Sequence, residues 1–425
     1  MKSPLRRGGT ALAAAVFGAT ALVACSPAGT AGSDGPVTVD VWHGFTEADG
    51  KVVQRLADEF NESQDDYRVK IEVNPWNVIT DKLLPAMSSG NGPALVVQGV
   101  DAGQGYVRQG VFASLQSFYD DPENETETYY EHVVDYTVFD GETYGVPMGY
   151  APFAVWYNKD MFAAAGVTEF PQTQDEWIAL AKKLTVDENG DGTPEIYGLS
   201  LADKATTFLP TWLEAGGGDV FADGEVVLDT PQNVKTLEWW RDAYAENWGP
   251  TNITLPEAVD LFKAGKAAMV VIGPWMIGIA DSVGLDVGVF EVPAGEEKRA
   301  AQAAANYWWL TSQGAKDERV AEGAQAFLRY FNSHDSQIEW ALEGNYPPNR
   351  DDITADELAE NPFVAEMLPF TENTYIRLAD LPGGLTDVNA ELDTLSQKVT
   401  HGEDDIAGAV AETSGKLAGI LSEFE

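Results

Sequence analysis

The sequence predicts an α/β protein built around a parallel sheet, and three observations carry that prediction. Val37, Val39 and Val41 alternate with Thr38 and Asp40, the period of a half-buried strand. Residues 49–61 then place Val53, Leu56, Ala57 and Phe60 on one helical face. Val69, Ile71 and Val73 alternate again with Lys70 and Glu72. A strand, a helix and a strand within that length make a βαβ unit, whose two strands lie parallel.

The later elements follow the same logic. A third, buried strand is expected at residues 94–97, after the turn-forming Asn91-Gly92-Pro93. A second α/β region opens with a strand at 153–157 and a helix at 175–184. It continues with a helix at 233–245 and an apolar strand at 267–272. Helices at 317–331, 391–400 and 405–424 complete the pattern, with no internal repeat.

The chain opens with an export pattern. Lys2, Arg6 and Arg7 precede a small-residue apolar run over residues 11–24, which falls short of the roughly 20 residues that span a bilayer. Cys25, the only cysteine, directly follows Leu22-Val23-Ala24 and resembles the bacterial lipobox. That resemblance implies a signal peptide over 1–24, cleavage before Cys25, acylation of its thiol and a lipid tether to the cell membrane. The alternative is an ordinary secretory signal with an incidental cysteine. Residues 25–36 are small, polar and rich in Gly and Pro, as in a flexible tether. A single cysteine leaves no disulfide within the chain.

Composition excludes several function classes. With 26 basic and 68 acidic residues among 425, the net charge is −42. It becomes −45 without the three basic residues of the leader. Such a surface repels phosphate backbones, so no nucleic-acid partner is expected. Four histidines and one lipid-destined cysteine leave little material for a zinc site or a thiol nucleophile.

Several segments, in order, resemble the extracellular solute-binding proteins of ABC importers, the group that includes maltodextrin-binding proteins. They are VTVDVWHGFTEADGKVVQRLADEFNE, GNGPALVVQG, DGETYGVPMGYAPFAVWYNKDMFAAAGVTEFPQTQDEWIALAKKL and FKAGKAAMVVIGPW, followed by ANYWWLTSQ and EGNYPPNRDD. Ala94 stands where that family usually has Asp. The resemblance implies a two-lobed, periplasmic-binding-protein-like type II α/β fold, hinged between lobes, with ligand held in the cleft. Residues 37–149 and 300–335 would form the N-terminal lobe, and 150–299 and 336–425 the C-terminal lobe. Crossovers would fall near 147–152, 292–303 and 335–347.

Ligand sites in open α/β sheets lie beyond the carboxyl ends of strands and between domains. Trp42 and His43 end the first strand, Trp76 follows the second and Asp101 the third, so each is a candidate for the cleft. The bland alternatives are a core Trp and a surface His. Trp275, in Gly273-Pro274-Trp275, matches the Gly-x-Trp of sugar-binding relatives, and an indole face suits the C–H face of a pyranose. Its alternative is a plug at the base of the lobe. Asn306 approaches the second crossover with an amide that can both donate and accept. Tyr150 and Tyr346 fall at the first and third crossovers that the resemblance implies. Trp212 either lines the second lobe or packs in its core. Trp177, Trp239, Trp240 and Trp340 lie within helix patterns and read as core.

Two further features have competing readings. The stretch PFTENTYIRLADLPGGLTDVNAELDTL resembles glycerol-3-phosphate-binding relatives, in which an arginine serves the phosphate, so Arg377 is a candidate. The serines expected of such a site are missing: Ala151 and Pro274-Trp275 stand in their places. Asp187, Asn189, Asp191, Thr193 and Glu195 follow the D-x-N-x-D-G spacing of a calcium loop, but position twelve is Gly198 where a bidentate Glu is usual. Structural calcium and a metal-free turn both remain open; no other cofactor is expected.

The sequence therefore reads as a monomeric, lipid-anchored receptor with no chemistry of its own. It would deliver a mono- or oligosaccharide to the membrane subunits of an ABC importer. The alternatives are a glycerol-3-phosphate or glycerophosphodiester receptor, resting on Arg377, and an exported glycoside hydrolase, which needs only a chance carboxylate pair.

Overall fold

Strand β1 (Val37–His43) pairs in parallel with β2 (Tyr67–Val73), Val39 opposite Val69, and helix α1 (Ala48–Ser63) connects them. This is the βαβ unit that the alternating valines predict. The computed structural model describes residues 35–46, 48–204 and 208–424. The signal peptide, Cys25 and most of the tether lie outside the described residues.

Strand β3 (Leu95–Gly99) lies parallel to β1 on its other side. Two strands that the alternation did not reveal complete the sheet. They are β4 (Gly145–Pro152) and β8 (Ala301–Leu310), and β8 runs antiparallel to both β3 and β4. The first sheet is thus mixed, with a parallel core and antiparallel additions. A short β9 (Thr374–Tyr375) pairs with the start of β8. The second sheet is smaller. In it β5 (Ala154–Asn158) lies between β6 (Met269–Ile272) and β7 (Val287–Phe290), all antiparallel.

The chain crosses between sheets where β4 runs into β5 and where β7 leads to β8. Strand periodicity sorts the first lobe's core. On β1, Val39 and Val41 face α1 and helix Glu318–Phe331, while Trp42 faces Ile79 and Leu83. On β8, Trp308 and Leu310 join the first group, and Tyr307 and Trp309 the second. Two further clusters pack on either side of the small sheet.

Several helices begin where the sequence supplies a capping side chain. Thr173 and Glu176 form a reciprocal capping box at Gln174–Leu184. Helix α2 (Trp76–Ser89) ends at Gly90, whose φ of 74° only glycine adopts freely. Among the described residues no helix is long and apolar enough to cross a membrane.

Candidate functional site

A cavity of about 790 Å3 opens between the two sheets, in the size range of small-ligand sites. The first lobe contributes Phe45, Asp49 and Lys51, from the segment that turns from β1 into α1, and Trp76 at the start of α2. The second contributes Lys263, Trp275, Ile279 and Ser282. Ala304 and Asn306 reach it from β8, and Asn345 and Tyr346 from the segment after helix His334–Gly344.

The walls are aromatic and held from behind. Trp76, 37% exposed, meets Phe45 edge-on at 5.0 Å and 87°. Tyr346 stacks on the buried Trp340 at 4.9 Å and 22°. Trp275 is half-buried, packs edge-on against Phe153 at 5.3 Å, and lies 6.4 Å from Tyr346 with the rings 33° apart. Aromatic rings from both lobes therefore face one space.

Polar groups fill the gaps between the rings. The Tyr346 hydroxyl donates to Asp49 Oδ2 at 3.5 Å, and burial beside that carboxylate pushes its pKa well up. The Asn306 amide makes no hydrogen bond among the described residues, and a register shift in the β8–β4 ladder follows it. Lys263 is held by Asp260 at 3.1 Å. The lining offers neutral and mixed-charge donors and acceptors rather than a concentration of one sign.

Four of the ten sequence candidates thus line this cavity: Trp76, Trp275, Asn306 and Tyr346. The other six do not. Trp42 turns to the opposite face of β1, onto Ile79 and Leu83. His43 is fully buried, its Nδ1 accepting from the Phe45 N–H at 3.2 Å, which leaves the proton on Nε2. Burial lowers its pKa to about 4, so the ring is neutral. Tyr150 is fully buried in β4 and accepts from Thr374 Oγ1 at 2.8 Å. Trp212 is core, stacked on Trp240 at 4.5 Å and 18°.

Asp101 and Arg377 lie close enough for their charges to interact. Asp101 accepts the N–H of Ala102 at 2.9 Å in the first turn of helix α3 (Val100–Arg108). Burial raises its pKa, and the Arg377 charge opposes that rise. Arg377 Nη1 and Nη2 both donate to Asn389 Oδ1, at 2.9 and 2.8 Å. Burial lowers the guanidinium pKa, with Asp101 the largest opposing charge.

The loop at Asp187 is closed by its own backbone. Asp187 Oδ1 and Oδ2 accept from Gly190 and Gly192, Asn189 Oδ1 from Asp191, and Asp191 Oδ1 from Thr193. Glu195 accepts from the Glu188 N–H and from Asn189 Nδ2. Among the described residues no group of three or more acidic, His or Cys side chains is arranged to hold a metal ion.

Phe45, Asp49 and Lys51 escaped the sequence reading, although the signal for them was present. Strand ends alone point to the last residues of β1, whereas the chain must leave the strand before a side chain clears the sheet. The same offset brings Ile279 and Ser282, one and two turns beyond Trp275, to the second wall.

Two α/β lobes joined by crossing strands, with an aromatic cavity between them, define a two-lobed binding protein. A profile of the family described as bacterial extracellular solute-binding protein matches residues 55–366, and the chain belongs to that family. It is a binding protein and not an enzyme. Over 389 residues it is 22% identical to a putative binding protein of Brucella abortus, covering 89% of this chain and 92% of that one. It is 28% identical to the maltodextrin-binding protein MdxE of Bacillus subtilis, covering 83% and 85% of the two chains. The crystal structure of a cyclic alpha-maltosyl-1,6-maltose binding protein from Arthrobacter globiformis shares the fold. Its TM-score is 0.77 at 21% identity, over 92% of this chain and 100% of that one.

Proposed function

We propose that this chain captures a neutral oligosaccharide between its lobes and delivers it to the membrane subunits of an ABC importer. The observation that carries this reading is the pairing of Trp76 on one lobe with Trp275 on the other across a single cavity, with the free Asn306 amide between. Indole faces shed water against the C–H faces of sugar rings, and the amide supplies a donor and an acceptor to hydroxyls. The maltodextrin-binding relative and the maltosyl-maltose-binding neighbour support the same class. The volume of about 790 Å3 favours several rings over one.

A phosphorylated ligand fits less well, because Arg377, held by Asn389, does not line the cavity. A ligand panel read by thermal shift tests the reading. A ligand at 100 times its dissociation constant adds about 2.7 kcal/mol of stability. Stabilisation by oligosaccharides is expected; stabilisation by glycerol phosphate alone would overturn it.

The protein is also proposed to be a monomer tethered through acylated Cys25, on the strength of the Leu22-Val23-Ala24-Cys25 sequence. Cys25→Ser should abolish acylation and release or misprocess the chain while leaving ligand binding intact in a soluble form. Unchanged processing and membrane retention in that variant would refute the tether.

A further inference from the structure

The second lobe contains a small chamber walled by Phe153, Trp177, Trp212, Trp240 and Gln302 among others. It offers about 20 Å3 to the centre of a water-sized sphere, against the roughly 10–15 Å3 that one water requires. Three of its side chains carry a buried polar atom with no hydrogen-bond partner among the described residues. They are the indole Nε1 of Trp177, the indole Nε1 of Trp240 and Oε1 of Gln302. These residues are 2%, 0% and 5% exposed.

An indole N–H only donates and an amide oxygen only accepts. Two unmet donors and one unmet acceptor on residues that line one chamber call for a guest that accepts twice and donates once. A cation would face two N–H groups and an anion would face Oε1, and among the described residues no charged side chain lines the chamber to neutralise either. We propose that the chamber holds one ordered water, accepting from Trp177 and Trp240 and donating to Gln302. Three hydrogen bonds are the usual complement of a buried water.

The site has a structural consequence. Trp177 belongs to helix Gln174–Leu184, Trp240 to helix Pro231–Tyr244 and Gln302 to β8. Strand β8 is the one that leaves the second lobe and enters the first sheet, and its Gln302 carbonyl accepts the Phe153 N–H at 2.9 Å. The water therefore ties two helices of the second lobe to both crossing passages.

Magnetisation transfer between water and the indole protons of the 15N-labelled protein tests this. Trp177→Phe and Trp240→Phe, each removing one resonance, assign the signals. Both indole protons should show a cross-peak to a long-lived water, and both cross-peaks should be lost in Gln302→Leu. Absent cross-peaks in the unaltered protein, or cross-peaks unchanged in Gln302→Leu, would overturn the assignment. If Gln302→Leu fails to fold, a high-resolution crystal structure of the unaltered protein decides by the presence or absence of density at the chamber's centre.

Discussion

Gly44 lies directly beneath the Trp76 indole: a Cβ there would stand 2.2 Å from the ring. Gly273 stands in the same relation to Trp275, again at 2.2 Å. Each lobe thus lays one cavity-lining indole over the backbone of a residue just past a strand end. The missing side chain lets the ring lie against the strand's exit, so the position of each aromatic wall is set by glycine.

Gly44→Ala should therefore move the Trp76 ring without unfolding the lobe. Trp76 is 37% exposed and has room to swing. Stability should change by less than about 1 kcal/mol, while sugar affinity falls roughly tenfold. Titration calorimetry beside a thermal melt checks this; unchanged affinity would mean that the Trp76 wall does not touch ligand.

Trp275→Ala removes the second wall. Losing one aromatic contact and its buried area should cost on the order of 2–4 kcal/mol, or roughly 30- to 1,000-fold in affinity. Trp275 also packs against the cores of both lobes, so a lower melting temperature should accompany the loss. Near-unaltered sugar affinity in this variant would sink the stacking reading.

Periodicity made much of this fold legible. The β1–α1–β2 unit and the helices near 174–184, 231–244 and 318–331 lie within a few residues of where the sequence puts them. Strands β4 and β8 were hidden for physical reasons. Gly145–Pro152 is buried at every position and carries Pro147 in its interior and Pro152 at its end, so no alternation survives. Ala301–Leu310 is covered on both faces along most of its length, which again erases the period. The site was half legible. Trp275 and Tyr346 could be placed from motifs, whereas the inward turn of Tyr150, Trp212 and His43 depends on packing that no local pattern encodes.

Arg377→Ala separates the two ligand chemistries. The change strips Asn389 Oδ1 of its donors and Asp101 of its opposing charge, which should destabilise the fold by about 1–3 kcal/mol. Oligosaccharide affinity should change far less than in Trp275→Ala, because Arg377 does not line the cavity. Tight binding of glycerol phosphate, lost in Arg377→Ala, would instead favour the phosphate receptor.

Chelation tests the loop at Asp187. Its side-chain oxygens already accept from the loop's own N–H groups, so a calcium chelator should leave the melting temperature unchanged. A fall on chelation, abolished by Asp187→Ala with Asp191→Ala, would show that a bound calcium reorganises these ligands.

The last prediction concerns acid stability and His43. Its pKa falls from the ordinary 6.5 to about 4 because the ring is buried. The unfolded chain therefore binds a proton that the folded chain refuses between those values, so stability must rise with pH across that window. The contribution is complete above pH 6.5 and is lost as pH falls towards 4. Between pH 7 and 4.5 the loss should be on the order of 2–3 kcal/mol. Many carboxylates titrate nearby, so the readout is a difference between variants. His43→Asn keeps an acceptor for the Phe45 N–H and removes the titration. Urea unfolding at both pH values should show the unaltered protein losing more stability on acidification than His43→Asn, by about that amount. Equal losses in the two proteins would mean that His43 takes up its proton in the folded state near its ordinary pKa.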